Sequence, residues 1–236
     1  MKHRKILVLT GTRADFGKLK PLMLELENSP DIALDVFVTG MHMLSKYGST
    51  HEEVDRSGFC NIYRFINQNS TDTMDQVLAK TIIGLSDYIR ESIPDLILFH
   101  GDRVEALAAA IVGSMNNILT GHIEGGEVSG TIDESIRHST TKLSNLHFVA
   151  NEEAQKRLIQ LGEEPKNIFI IGSPDVDIMN SNNLPSIEQV KDHYEIPFDY
   201  YSLVLFHSVT TELDSLADDV AKLVNALIQS NKNYVV

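Results

Sequence analysis

The sequence has almost no cysteine, no basic excess and no long apolar run, and each shortage removes a class of function. Cys60 is the sole cysteine, so no internal disulfide can form, and no metal-ligand spacing surrounds it. A reducing cytoplasm is therefore the expected setting. The 20 basic side chains are outnumbered by 33 acidic ones, a formal net charge of −13. A field of that sign repels a polyphosphate duplex or an anionic membrane over most of the surface, so neither nucleic acid nor membrane is an expected partner. A small anionic ligand stays compatible, because a few local donors outweigh a distant, screened field once a site is partly dry. No stretch approaches the ~20 apolar residues that a membrane-spanning helix needs. Met1 to Arg4 leads straight into a strand-like run that is too short and too polar-flanked for a signal peptide. In that setting the tripeptide Asn69-Ser70-Thr71 fits the glycosylation pattern only by coincidence. The chain shows no internal repeat and no low-complexity tract.

What is present is an ordinary globular composition, 236 residues with 42% hydrophobic content, enough for a sizeable core in one or two domains. Short β-branched or apolar runs alternate with longer helical periodicities, the pattern of a parallel sheet covered on both faces. Strands are expected at 5–10, 33–39, 61–65, 96–100, 118–123, 146–150 and 168–171, and helices at 16–27, 73–92, 104–114, 132–144 and 152–161. The expected fold is α/β, a doubly wound parallel sheet of Rossmann-like type. Thr131 followed by Glu134 suggests a capping box, and Asn151 a second helix start. From about Met179 the polar, turn-rich run Asn180 to Ser186 reads as a linker. A second domain is expected beyond it, with a strand at 202–206 and a helix carrying Leu213, Leu216, Val220, Leu223, Val224 and Leu227 on one face. One strand, one helix and the fragment Tyr234-Val235-Val236 cannot bury a core, so the natural chain is expected to be longer. The organisation is thus 1–178, a Rossmann-like catalytic domain, and 179–236, a linker and the incomplete start of a second, nucleotide-binding one.

In an open parallel sheet, ligands sit outside the carboxyl ends of the strands, so the residues after each strand carry the functional argument. Here they are polar: Gly11 to Asp15, Gly40 to His42, His100 to Arg103, Glu124 to Glu127, and His207-Ser208 in the second domain. The segment Gly11 to Lys18 fails as a phosphate loop, since five residues separate Gly11 from Gly17 where that motif has four, and Leu19 replaces the magnesium-binding Ser or Thr. No Gly-x-Gly-x-x-Gly follows the first strand either. A glycine turn, free amides at a helix start and Arg13 remain; they suit a phosphate or sugar hydroxyl as well as a bare turn with Arg13 paired to Asp15. On the helix at 132–144, a 100° step per residue puts Glu134, Arg137, His138 and Thr141 on one face and Ile132, Ile136 and Leu143 on the other. The Gly125-Gly126 turn before it lets backbone approach a ligand. Asp102 and Glu124 end two successive strands and are expected to lie within several ångströms, where paired carboxylates can act as acid and base. The structural alternative has Asp102 capping the next helix and Glu124 paired with Arg103 or Arg137. His100 and His122 are expected to be held in the sheet.

At these clusters the sequence resembles the hydrolysing UDP-N-acetylglucosamine 2-epimerases of sialic and nonulosonic acid biosynthesis. The matching segments are Thr10 to Asp15, His100 to Arg103, His122 to Thr131 with Ile136-Arg137-His138, and His207 with Thr210-Thr211-Glu212. The resemblance implies two Rossmann-like domains in the GT-B arrangement. It further implies loss of UDP by elimination across C1 and C2, then addition of water to the glycal to release the free 2-epimer. Asp102, Glu124, Glu134 and His207 are then the catalytic candidates, with His207 near the leaving group. Arg13, Ala14, Arg103, Gly126, Arg137 and His138 are the substrate-binding candidates. Which carboxylate takes the C2 proton stays open. The implied partner is a UDP-sugar and the implied assembly a dimer or tetramer of like subunits, with no metal and no other cofactor. The uridine is expected to sit on the second domain, so the chain alone is expected to be inactive. A non-hydrolysing epimerase, a 2-epimerase specific for a UDP-2,4-diacetamido-trideoxy sugar of the legionaminic acid route, a GT-B glycosyltransferase and a sugar-nucleotide-sensing domain are the competing readings.

Overall fold

A computed structural model describes residues 4–181, 184–206 and 215–236. The chain divides into two compact units, Met1–Ser181 and Asn182–Val236. In the first unit the elements run β1 (Arg4–Thr10), α1 (Arg13–Asn28), β2 (Ile32–Val38), α2 (His51–Asp55), β3 (Ile62–Arg64), α3 (Met74–Ser92), β4 (Leu96–His100), α4 (Val104–Met115), β5 (Leu119–Ile123), α5 (Ile132–Lys142), β6 (Leu146–Val149), α6 (Glu152–Gln160), β7 (Ile168–Ile170) and α7 (Pro174–Met179). The strands form one parallel sheet of seven in the order β3-β2-β1-β4-β5-β6-β7. This is the expected doubly wound, Rossmann-like fold. Strand order reverses between β1 and β4, and at such a switch point the connections leave in opposite directions and open a crevice at the carboxyl ends.

The sheet is buried on both faces, which is why its strands read as continuous apolar runs rather than alternating ones. Successive residues of β1 still point to opposite sides. Ile6 and Val8 pack with Phe16, Leu19 and Met23 of α1, while Leu7 and Leu9 pack with Leu85 and Ile89 of α3 and Ala106, Ala109 and Ala110 of α4. Alanines on α4 let that helix lie close to the sheet. Asn151 caps α6 by accepting from Ala154 N at 2.8 Å, as its position suggested. The turns after β2, Gly40–Met43 and Ser45–Tyr47, and the helices α2 and α7 were not foreseen.

The second unit holds α8 (Ile187–His193), β8 (Ser202–Leu203), α9 (Leu216–Gln229) and β9 (Tyr234–Val235). β8 and β9 pair in parallel, Ser202 opposite Tyr234, so α9 is a crossover. Ser186 caps α8, accepting from Gln189 N at 3.3 Å. Among the described residues no helix is long and apolar enough to cross a membrane.

Candidate active site

The polar residues at the carboxyl edge of the first unit fall into two groups on either side of the switch point. The first belongs to β1, β2 and the start of α1. Asp15, buried, accepts from the amides of Gly11 at 3.0 Å and Thr12 at 3.1 Å and from the Thr10 hydroxyl, while Thr12 Oγ1 accepts from Asp15 N at 3.2 Å. That closes a capping box on α1. His42, fully buried, continues the network: its Nε2 lies 3.0 Å from Thr10 Oγ1 and its Nδ1 2.7 Å from Thr50 Oγ1. Burial raises the Asp15 pKa despite these donors, and it pushes the His42 imidazole down to about 4.

This corrects two expectations. The amides of Gly11 and Thr12 are not free for a phosphate, because Asp15 occupies them. Arg13 does not pair with Asp15 either; its exposed guanidinium reaches Glu53 at 3.3 Å, and Ala14 lies exposed beside it. An aspartate at the third helical position has its own cap within reach, which leaves Arg13 to find a partner on α2.

The second group centres on Glu124, the first residue past β5. Its backbone is left-handed, φ 59°, a conformation that costs a non-glycine residue about 1–3 kcal/mol and persists only where surroundings enforce it. The surroundings are visible. Glu124 Oε2 lies 2.8 Å from Lys18 Nζ and 2.8 Å from His100 Nε2, and Oε1 accepts from Ser173 Oγ at 3.2 Å. Lys18 also reaches Asp175 at 3.3 Å. Burial alone would raise the Glu124 carboxyl, but hydrogen bonds from His100 and Lys18 more than reverse it and hold the group at about 2. Burial likewise works against the Lys18 ammonium; Glu124 and Asp175 overcome it and raise its pKa. An ionised carboxylate facing His100 Nε2 requires that nitrogen to carry the proton.

Asp102 and Glu124 end the neighbouring strands β4 and β5, as expected, but each takes its own partner. Asp102 pairs with Arg137 of α5, whose Nη1 also donates to Glu127 O at 3.1 Å and whose buried Nε has no partner among the described residues. Asp102 therefore does not cap α4, where Arg103 holds the cap position, and Glu124 meets neither Arg103 nor Arg137. Arg103 Nε donates to the buried Glu105 at 3.1 Å, and among the described residues the other two guanidinium nitrogens have no partner. Below this edge His122 is fully buried, as expected; it joins Gly101 O at 2.7 Å to Thr141 Oγ1 at 3.1 Å, and burial lowers it to about 3.

Glu134 is not the second half of a capping box. Thr131 accepts from Asp133 N at 3.3 Å, whereas Glu134 Oε2 turns back to the amides of Ser129 at 2.9 Å and Gly130 at 3.0 Å. The positive φ of Gly130 bends the chain so that both amides converge on one oxygen. These two donors lower the Glu134 pKa, and His138 stands 3.9 Å from its other oxygen. The faces of α5 also differ from the expected ones: Thr141 is buried under His122, and Ile132 is 59% exposed. Gly126 serves packing, because a Cβ at its φ of 83° would meet Leu158 Cδ1 at 2.5 Å and Ala154 O at 2.7 Å. His207, with Thr210, Thr211 and Glu212, lies outside the described residues. The described ones among the predicted residues thus share one sheet edge but are resolved into separate pairs rather than one cluster.

Lys18, His100 and Ser173 are the contacts that sequence reasoning left out of the site. Lys18 lies one helical turn beyond Ala14 and so shares its face, which was the available signal. For His100 and Ser173 the partner is 24 and 49 residues away in sequence.

A family model described as UDP-N-acetylglucosamine 2-epimerase matches residues 24–236. A UDP-N-acetylglucosamine 2-epimerase of Neisseria meningitidis serogroup B is 50% identical to the chain, covering 98% of this chain and 62% of the relative. A hydrolyzing UDP-N,N'-diacetylbacillosamine 2-epimerase of Legionella pneumophila is 36% identical over 98% of this chain and 63% of its own length. The crystal structure of the Methanocaldococcus jannaschii UDP-GlcNAc 2-epimerase in complex with UDP-GlcNAc and UDP matches with a TM-score of 0.82 at 24% identity, over 98% of this chain and 64% of that one. The chain spans about six-tenths of the length of the curated relatives it matches.

Proposed function

Because the chain belongs to the UDP-N-acetylglucosamine 2-epimerase family, we propose that the full-length protein converts UDP-N-acetylglucosamine, or a related UDP-2-acetamido sugar, to UDP and the free 2-epimer. The C2 proton leaves to a carboxylate while the C1–O bond to UDP breaks, giving a 2-acetamidoglucal. Water then adds across the double bond, its proton to the opposite face of C2 and its hydroxyl to C1. Such a proton is weakly acidic, so the base must be held against it in a site that also stabilises the departing diphosphate.

The single observation that carries this reading is the Glu124 group. Asp102 is committed to the half-buried Arg137 and Glu134 to two backbone amides, so Glu124 is assigned the C2 proton. One of its two partners at 2.8 Å, Lys18, is a flexible ammonium that a diphosphate can draw away. In that exchange Glu124 loses one of the two donors that depress its basicity, keeps His100, and gains affinity for a proton at the moment elimination needs it. The unpartnered nitrogens of Arg103 supply a second phosphate contact, and Arg137 orients Asp102.

The Legionella relative's name brings a second substrate, the diacetylbacillosamine nucleotide, and the Neisseria relative's name specifies no hydrolysis, so a non-hydrolysing outcome stays the alternative. One assay separates all three. Full-length protein is incubated with each UDP-sugar and the products are resolved by NMR. Free UDP and a free 2-epimer are the expected products; a sugar still joined to UDP contradicts hydrolysis, and an unchanged donor contradicts the function.

A further inference from the structure

Two residues at the start of α7 take part in neither the resemblance nor the reaction as assigned above. Ser173 Oγ donates to Glu124 Oε1 at 3.2 Å, and Asp175 Oδ2 lies 3.3 Å from Lys18 Nζ. They flank Pro174, which fixes the backbone between them, and α7 packs along α1, which carries Lys18. The arrangement is a chain of polar contacts across four elements: Asp175 on α7, Lys18 on α1, Glu124 after β5, and His100 at the end of β4. Asp15 of α1 stands behind His100 within electrostatic reach. Every hydrogen-bonding oxygen of Glu124 is thereby used, and Ser173 supplies the donor that meets Oε1.

We propose that Ser173 and Asp175 are positioning residues for this reaction, Ser173 fixing the rotation of the Glu124 carboxylate and Asp175 sharing the Lys18 ammonium with it. The inference rests on the epimerase reading. A carboxylate in a left-handed backbone has its direction set by its hydrogen bonds, and one bonded only through Oε2 can turn about its last torsion. Ser173 removes that freedom. Lys18 is shared between two carboxylates, so Asp175 weakens its hold on Glu124 and leaves the ammonium easier to transfer to a phosphate.

The two substitutions act on Glu124 with opposite sign, which a merely structural role would not do. In Ser173→Ala the charged carboxylate loses a donor, so the acid limb of the kcat profile moves to higher pH by about half to one unit, and kcat falls about tenfold with KM within about twofold. Ser173→Thr keeps the hydroxyl and restores both. In Asp175→Asn a neighbouring negative charge is lost and Lys18 turns wholly to Glu124, so the acid limb moves to lower pH. The test measures kcat and KM against pH for the full-length wild type, these three variants and Glu124→Gln. Opposed shifts with rescue by threonine support the inference. If the wild type turns over, Glu124→Gln does not, and both α7 variants keep the wild-type profile, the positioning roles are overturned while the epimerase reading stands. A wild type that leaves every UDP-sugar unchanged overturns both.

Discussion

The two polar groups at the carboxyl edge of the sheet are built from similar side chains and do opposite things. Around β1 and β2, Asp15, Thr10 and His42 are buried and spend their hydrogen-bonding capacity on backbone amides and hydroxyls of the same turns. Around β4 and β5, Glu124, Lys18, Asp102 and Arg137 are half-buried and satisfied mainly by one another's charges. A carboxylate bonded to its own backbone cannot change partner without opening the turn, whereas one bonded to flexible cations can hand them to a ligand. On the proposed function the first group is a fastening and the second the reaction site, a distinction that residue type alone does not make.

That contrast breaks most sharply with Glu124→Gln, which is expected to lower kcat about 10³-fold, within the span attributed to a general base, while the chain still melts cooperatively at a Tm lowered by the loss of the carboxylate's bonds to Lys18 and His100; UDP release and thermal melting check it. Gly126→Ala comes next. Its side chain would strike α6, so a loss of about 2–3 kcal/mol in unfolding free energy is expected, read from the denaturant midpoint.

The third prediction concerns pH. His42 sits at about 4 in the folded chain against 6.5 in the reference state, so it is neutral when folded while the unfolded chain takes up a proton below about 6.5. Its contribution is present above pH 6.5 and is lost as pH falls toward 4, about 3 kcal/mol in all. Glu124 runs in the same direction over a lower window, stabilising above about 4.5 and losing that as pH falls toward 2. Urea titrations of wild type and His42→Gln are expected to differ in slope between pH 6.5 and 4, and identical slopes would remove His42 from the fastening. Smallest is Asp15→Asn, which keeps one acceptor oxygen for two amides. It is expected to cost about 1–2 kcal/mol of stability with kcat within about threefold of wild type; a large drop in kcat would place Asp15 with the reaction group.

The sheet was legible because a parallel sheet covered on both faces leaves uninterrupted apolar runs with polar residues just past each one. Strand ends followed to within one or two residues, as at Leu96–His100. The rest was hidden for physical reasons. A Thr and a Glu three residues apart suit a capping box and a backward loop clamp equally, and only the bend at Gly130 selects the second for Glu134. A helical wheel orders residues around an axis but does not say which side meets the sheet, so Thr141 and Ile132 were exchanged. The Lys18–Glu124 pair joins residues 106 apart and depends on the strand order reversing between β1 and β4, which no local pattern contains.

The chemical role of Glu124 is tested most directly by running full-length wild type and Glu124→Gln in heavy water and following C2 of the sugar by NMR. The wild type should place one deuterium at C2 of the released 2-epimer, and the variant should leave C2–H intact in the donor. Deuterium entering C2 at the wild-type rate in Glu124→Gln would contradict the assignment.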